Sequence, residues 1–348
     1  MTLPGLTGGR ARRRAGRRTN LALLGLLLGA FGSGWLAFGT GTVDAARAVT
    51  LAHGALGLGL VLLVPWKSVI VQRSLRRAAP RPGRAIGFAL GGCLLLCLTT
   101  GVLHALDGYR PVLGVSALAV HVGSGVLAVP LVVVHAWGRR QRPRSVDLSR
   151  RTFVAAGLLG VGSLATYGVI EMVSAVLGLP GRDRRATGSY ERGSGRPDQM
   201  PVTQWFTDSV PSLGRESWQL TVDTDTVPYA HLAAGKDELR AVLDCTSGWY
   251  AEQVWRGLRM SRVLVAVPPQ TRSIDVVSVT GYRRRFALDD LDRLLLATHA
   301  AGAPLSDGHG GPVRLVAPDR RGFWWVKWVQ RVEFSSEPTW LQPPFPLQ

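Results

Sequence analysis

The sequence predicts a chain of two parts that differ in fold class: an N-terminal all-α membrane bundle of five transmembrane helices and a C-terminal α+β domain. Nearly all long apolar runs of the 348 residues lie before residue 180. The charge divides at the same place, because residues 1–179 contain 20 Lys+Arg against 4 Asp+Glu, whereas residues 180–348 contain 21 against 19. After residue 205, short β-like runs alternate with turn residues, which is typical of a mixed α+β domain.

Five apolar segments are long enough to cross a bilayer, for which about 20 residues are needed. They cover Leu21–Phe38, Ala45–Trp66, Ala85–Leu106, Val112–Trp137 and Phe153–Leu179. We therefore expect a basic cytoplasmic tail over residues 1–20, a four-helix transmembrane domain over 21–137, and a cytoplasmic loop with a fifth transmembrane helix over 138–179.

The basic residues between these segments predict their orientation in the lipid bilayer. The N-terminal tail, the second-to-third loop and the fourth-to-fifth loop together contain 18 of them, whereas the short loops on the other side contain Arg47 and Arg110. Because cytoplasmic loops carry such an excess, we expect a multi-pass protein of the cell membrane, with a cytoplasmic N-terminus and an extracytoplasmic C-terminal domain. The C-terminal half has no basic patch interleaved with aromatic residues, so nucleic acid is not an expected partner.

The fifth segment begins with Ser149-Arg150-Arg151-Thr152-Phe153-Val154, which resembles the twin-arginine export motif S-R-R-x-F-L. That route carries proteins already folded around a cofactor. The motif is internal in this chain and no A-x-A cleavage site follows it, so the segment would remain as an anchor. The alternative interpretation is that these arginines only add to the cytoplasmic positive charge.

Histidines inside the apolar segments are candidates for a functional site, because ionisable residues are rare there. His53 in the second segment and His121 in the fourth are predicted at similar depth, as two axial ligands of a haem b would be. His104 is a competing ligand, on a helix face with Cys93 and Cys97. The alternative is interhelical hydrogen bonding. The segment resembles, loosely, the four-helix cytochrome b membrane proteins.

Residues 180–204 have the Gly, Ser, Pro and Arg composition of a flexible polar linker. In residues 205–348 the patterns predict strands and two helices. The predicted strands are Trp218–Val222, Glu238–Leu243, Ser273–Val279, Val313–Ala317 and Phe323–Phe334, and the predicted helices are Gln253–Leu264 and Leu288–Ala300.

Three blocks of the C-terminal half carry a family resemblance. The first is Leu243-Asp244-Cys245-Thr246 with Trp255-Arg256-Gly257-Leu258 after it, and the second is Gly281-Tyr282 with Phe286-Ala287-Leu288-Asp289-Asp290-Leu291. The third is His309-Gly310-Gly311-Pro312-Val313-Arg314-Leu315-Val316-Ala317-Pro318 with Val326-Lys327-Trp328-Val329. Together they resemble the molybdopterin-binding domain of the sulfite oxidase superfamily.

The resemblance implies a molybdenum–molybdopterin cofactor with Cys245 as the protein thiolate on the metal. Taken alone, this cysteine would be a buried structural thiol. The resemblance further implies that Thr246, His309, Arg314 and Lys327 bind the cofactor and that Tyr282 is a catalytic phenol near the metal.

The predicted function is that of a membrane-bound oxidoreductase that transfers an oxygen atom with two electrons, by sulfoxide or N-oxide reduction or by sulfite-type oxidation of a small molecule. Its electrons would be exchanged through the helices with a membrane quinol or another carrier. Two alternatives remain open: the same enzyme with helices that are a passive anchor without haem, and a cofactor-less binding or assembly module. Cys245 is followed by Trp249 and Tyr250 rather than an N-R-R run, which argues against a dense anion pocket.

Overall fold

The computed structural model describes residues 16–76, 83–137, 145–204 and 208–343. Ten of the 18 basic residues used for the predicted orientation lie outside these ranges. The chain forms two compact units. The first contains residues up to Gly188 apart from Phe38–Thr42, and the second contains Phe38–Thr42 and the residues from Ser189 onward.

The first unit is helical. Its helices are α1 Arg17–Gly39, α2 Val43–Leu62, α3 Val64–Leu75, α4 Arg84–Asp107, α5 Ala117–Trp137 and α6 Arg150–Val176. All of them except α3 are long and apolar enough to cross a membrane, judged by length and composition. These five long helices overlap the predicted segments, although several of their ends differ from the prediction. The largest difference is in α5, which begins at Ala117 because Val112 and Val115 close a tight turn through two backbone hydrogen bonds.

Small residues allow the helices to approach closely. A Cβ atom on Gly54 of α2 would lie 2.6 Å from the ring of Tyr167 on α6. On Gly59 of the same helix it would lie 3.0 Å from the hydroxyl of Ser163. Helix pairs in apolar surroundings are stabilised by such close van der Waals contact rather than by the hydrophobic effect. The glycines therefore fix the contact between α2 and α6.

The second unit contains two β-sheets. Its strands are β1 Tyr190–Glu191, β2 Gln219–Val222, β3 Asp225–Pro228, β4 Asp237–Asp244, β5 Trp249–Arg259, β6 Ser273–Ser278, β7 Arg283–Ala287, β8 Leu295–Ala300, β9 Ala303–Pro304, β10 Arg314–Val316 and β11 Val329–Ser335. One sheet has the order β1-β5-β8-β10, with β4 paired to β5 and β9 to β8. The other has the order β3-β2-β11-β6-β7. Short helices, α7 Tyr229–Ala233 and α8 Met260–Val263, complete this α+β unit.

Both predicted helices of this unit are wrong. Gln253–Leu264 is mostly strand β5, whose residues alternate between buried and half-buried up to Gly257 because it pairs with β4 on one side and β8 on the other. Leu288–Ala300 is a single 3₁₀ turn followed by β8, whose first four residues are fully buried. A continuous apolar run has no period that distinguishes a central strand from a buried helix. Of the predicted strand Phe323–Phe334, only the part from Val329 is extended.

The segment predicted to be a linker is structured. Tyr190 and Glu191 pair in parallel with Trp249 and Tyr250, and the side chains of Ser189, Tyr190 and Met200 are buried. The glycines that gave this stretch its linker composition are turn residues, since Gly193 and Gly195 have φ of 78° and 68°, which favours glycine. The composition therefore identified turns and was wrongly taken for flexibility.

Candidate active site

Cys245 lies in a tight turn between two paired strands. β4 ends at Asp244 and β5 begins at Trp249, and the backbone N–H of Cys245 donates to the Trp249 carbonyl at 2.9 Å. Gly248 has φ of 98°, and its N–H returns to the Cys245 carbonyl at 3.2 Å. A left-handed residue at this position closes the hairpin. The turn holds the half-buried cysteine, which forms no disulfide, at the end of the sheet.

Three groups from different parts of the chain surround this cysteine. The hydroxyl of Thr203 lies 3.3 Å from the Cys245 Sγ atom, and the hydroxyl of Ser247 lies 3.1 Å from it. Gly322 packs against the backbone, since a Cβ atom there would lie 3.0 Å from the Cys245 Cα atom. A larger residue at position 322 would displace the cysteine turn, so Gly322 determines how closely its loop approaches Cys245.

A buried ion pair holds the base of the turn. Arg321 donates to the Asp244 carboxylate at 2.6 Å and to the Cys245 carbonyl at 3.3 Å. Ser189 donates to the same carboxylate oxygen at 2.6 Å. The side chains of Arg321 and Asp244 are only 3% and 8% exposed. The cysteine backbone is thereby fixed by a charged residue that the sequence interpretation did not single out.

Two further cations, Arg314 and Lys327, lie close enough to the cysteine for their charges to interact with its thiolate. Arg314 is 2% exposed, and it donates to the His309 carbonyl at 2.9 Å between the rings of Trp255 and Trp325. Lys327 donates its Nζ to the carbonyls of Thr203 at 2.8 Å and Gly308 at 2.7 Å. Among the described residues, no carboxylate lies within ion-pair distance of either cation.

Burial lowers the pKa of both of these side chains. It lowers the pKa of Arg314 to about 10. It also lowers the pKa of Lys327 to about 7, with the positive charge of Arg314 as a second cause. In both cases the negative charge of a Cys245 thiolate acts in the opposite direction, and for Lys327 the carboxylate of Asp208 does so as well. A buried cation is costly unless an anion compensates it, so the site is electrostatically prepared for an anionic ligand.

The loop around Gly310 brings the side chains of the two cations close to one backbone segment. Gly310 has φ of 97°, and a Cβ atom there would lie 3.0 Å from Lys327 and 3.1 Å from Arg314. The Nε atom of Arg314 is buried without a hydrogen-bond partner. A thiol, two cations and a glycine backbone between them fit a cofactor that combines a soft metal with an anionic phosphate. The residues present therefore fit the molybdenum–pterin group that the sequence resemblance implies.

The other predicted site residues are placed less directly. His309 is buried, with Nε2 3.0 Å from the Met200 carbonyl and Nδ1 2.8 Å from the Ser306 hydroxyl, and burial lowers its pKa to about 4. Its imidazole is thus neutral and already paired. Tyr282 donates its hydroxyl to the carbonyl of Phe323, next to Gly322, and burial raises its pKa. Thr246 is half-buried in the cysteine turn.

The two histidines predicted as haem ligands are adjacent in the helical unit. The ring centroids of His53 and His121 are 5.7 Å apart at 88°. The Nδ1 atom of His53 is 2.9 Å from the Ala30 carbonyl, and that of His121 is 2.8 Å from the Cys97 carbonyl. A carbonyl partner assigns the proton to Nδ1 and leaves Nε2 in the form that ligates metals. His104 differs, because its Nε2 lies 2.9 Å from the Gly188 carbonyl.

Residues 208–341 match the family model described as the oxidoreductase molybdopterin binding domain. The C-terminal unit is a molybdopterin-binding oxidoreductase domain.

Known proteins similar to this chain include the catalytic subunit MsrP of protein-methionine-sulfoxide reductase from Pseudomonas syringae pv. tomato. It is 26% identical over 257 residues, which cover 56% of this chain and 74% of the relative. The MsrP of Xanthomonas campestris pv. campestris is 30% identical over 125 residues, which cover 29% of this chain and 39% of the relative. Among solved structures, the sulfane dehydrogenase SoxCD of Paracoccus pantotrophus aligns with 20% identity and a TM-score of 0.35, covering 37% of this chain and 40% of that chain.

The molybdopterin-binding domain is completed by residues that precede its family match. We call residues 189–203 the strap. It supplies the Ser189 hydroxyl to Asp244, the Met200 carbonyl to His309, and both the carbonyl and the hydroxyl of Thr203, to Lys327 and Cys245. Sequence reasoning missed this segment. The sequence did contain one signal, the aromatic residue Tyr190, because a solvated linker does not need an aromatic side chain.

The buried ion pair at the turn predicts a large cost for removing its cation. We expect Arg321→Met to lower the free energy of unfolding of the cofactor-free protein by about 3–5 kcal/mol, because Asp244 would remain buried without its cation. Arg293→Met is the matched control, since Arg293 and its partner Asp319 are 59% and 70% exposed, and such pairs contribute about 0–1 kcal/mol. Denaturant unfolding followed by tryptophan fluorescence measures both. Equal effects of the two substitutions would show that the Arg321–Asp244 pair does not hold the turn.

Proposed function

We propose that this chain is a membrane-anchored molybdenum oxidoreductase that reduces sulfoxides on the extracytoplasmic side. The observation that carries the proposal is the pair of cations near Cys245, the buried Arg314 and the half-buried Lys327, neither of which forms an ion pair with a carboxylate of the described residues. Such a cluster is unstable unless an anionic group occupies it. Within a molybdopterin-binding domain, the group of matching chemistry is the cofactor.

The chain's own residues would bind the cofactor in two places. Cys245 would donate its thiolate to the molybdenum, and Arg314 and Lys327 would hold the anionic end of the pterin. The bound cofactor supplies the two-electron oxygen-atom transfer. His309 would position Arg314, which donates a hydrogen bond to the His309 carbonyl. Tyr282 would position the loop beside Cys245, because its hydroxyl donates to the carbonyl of Phe323 in that loop.

Reduction of a sulfoxide is favoured over oxidation of sulfite by the charge of the site. We expect Arg314 and Lys327 to be engaged in binding the cofactor, and the residues after Cys245 are Thr246, Ser247 and Gly248, which are uncharged. An anionic substrate would lack a partner there, whereas a neutral sulfoxide needs none. Two relatives are named catalytic subunits of methionine-sulfoxide reductases. The reaction consumes two electrons and two protons and converts the sulfoxide to a thioether and water.

The five long apolar helices support the membrane part of the proposal. An odd number of spans and the distribution of arginines together would leave the C-terminal domain outside the cytoplasm. The Ser149–Val154 stretch at the start of α6 is consistent with export of that domain after it has folded around its cofactor.

The helical unit would deliver electrons through a haem b held by His53 and His121. Glycines let both rings pack closely against the facing helices, since a Cβ atom on Gly34 would lie 3.0 Å from His53 and one on Gly101 would lie 2.8 Å from His121. The carbonyl contacts to Nδ1 orient both imidazoles as outer-shell partners do in metal sites. A quinol of the membrane supplies the two electrons and two protons that sulfoxide reduction consumes.

The catalytic role of Cys245 is tested by the metal content of two cysteine variants. We expect Cys245→Ser to lose molybdenum and to lower sulfoxide reduction by at least about 10–100-fold, the cost of losing even an outer-shell partner. The control is Cys93→Ser, which keeps its hydrogen bond to the Ser124 carbonyl and should retain both properties. Metal analysis and turnover with an artificial electron donor provide the readouts. Equal molybdenum and activity in Cys245→Ser and wild type would refute the proposal.

The haem proposal predicts an optical signature. Purified protein should show a Soret band that is lost in His53→Ala and in His121→Ala, along with quinol-driven turnover. Turnover with an artificial donor should persist in both variants, because the molybdenum domain is unchanged. His104→Ala should keep the band. A wild-type protein without a Soret band, purified from haem-replete cells, would instead support helices that are a passive anchor.

A further inference from the structure

Two hydroxyl groups point at the sulfur of the proposed metal ligand. Thr203 Oγ1 lies 3.3 Å and Ser247 Oγ lies 3.1 Å from Cys245 Sγ. They come from different segments, since Thr203 belongs to the strap and Ser247 to the cysteine turn. Thr203 also lies outside residues 208–341, the range that matches the family model. The strap hydroxyl is therefore a feature of this chain that the family match does not assign.

The direction of these hydrogen bonds follows from the chemistry of the ligand. A cysteine bound to a metal is a thiolate and has no proton to donate. Both hydroxyls must then donate to the sulfur. A donated hydrogen bond withdraws charge from the thiolate, so the sulfur donates less charge to the metal. The reduced, more electron-rich metal is stabilised as a result, as hydrogen bonds to cluster and copper-site sulfurs show.

The position of Thr203 is fixed by contacts that do not involve its own side chain. Its carbonyl accepts from Lys327 Nζ at 2.8 Å, and the neighbouring Val202 packs on Gly308, where a Cβ atom would lie 2.8 Å away. The Met200 carbonyl lies 3.0 Å from His309 Nε2. These contacts at Met200, Val202 and the Thr203 carbonyl hold the hydroxyl in place before the cofactor binds, which is what a preorganised site requires.

We propose that the hydroxyls of Thr203 and Ser247 raise the reduction potential of the molybdenum by donating hydrogen bonds to the Cys245 thiolate. Thr203 is thus a positioning residue, which acts through the metal ligand and does not touch the substrate. The strap then has a chemical role besides its structural one. This inference rests on the proposed molybdenum ligation by Cys245.

The test compares Thr203→Val, which removes the hydroxyl at nearly constant volume, with Thr203→Ser, which keeps it. Redox titration of the full-length, molybdenum-loaded protein, followed by the electron paramagnetic resonance of the metal, gives the midpoint potential. We expect Thr203→Val to lower this potential, so that the ratio of oxidised to reduced metal at fixed poise rises several-fold. Thr203→Ser should restore the wild-type value, and the molybdenum content should be equal in all three proteins.

An unchanged potential in loaded Thr203→Val would overturn the inference while leaving ligation by Cys245 intact. Failure of the proposed function would look different, because wild-type protein would then hold no molybdenum that depends on Cys245. If Thr203→Val does not load, Ser247→Ala decides: a lowered potential supports the inference, and an unchanged one overturns it.

Discussion

The site depends on positive charge in the C-terminal domain that forms no ion pair among the described residues. Arg314 is almost completely buried, and the partners it has are a carbonyl and two indole rings. These contacts satisfy some of its donors, but they do not neutralise its charge. Lys327 adds a second cation nearby, with its ammonium held by two carbonyls. An anion bound between Arg314 and Lys327 would therefore stabilise the domain.

Two glycines, an ion pair and the strap position the groups around these cations. Gly310 lets the side-chain stems of the two cations pack closely against its backbone, and Gly322 lets the loop after β10 approach the cysteine. Unlike Arg314 and Lys327, Arg321 forms an ion pair with a carboxylate, that of Asp244, and this pair holds the cysteine turn. Arg321 thus stabilises the protein, whereas Arg314 and Lys327 are the cations that we propose bind the cofactor. The strap joins these groups, since its backbone and hydroxyls meet Lys327, His309, Asp244 and Cys245.

The sequence predicted the features that follow from local composition. The five long helices come from apolar length alone. Cys245, Arg314 and Lys327 come from short blocks of sequence, and the fold brings Cys245 and Lys327 together at Thr203. What could not be predicted depends on tertiary pairing. The run around Leu295 is buried on both faces of a sheet and has no strand period. Arg321 resembles any surface arginine until the fold places Asp244 beside it, and the strap resembles a linker until its turns are seen to pair with β5.

The most direct measurement is the unfolding of Arg314→Met protein with and without the cofactor. If Arg314 is a buried cation that awaits an anion, methionine should leave the free energy of unfolding of the cofactor-free protein unchanged or raise it by up to about 4 kcal/mol, as replacement of buried charges by apolar residues does. The same substitution should abolish retention of the pterin. A variant that is less stable without cofactor, yet still retains pterin and molybdenum at the wild-type level, would contradict the account.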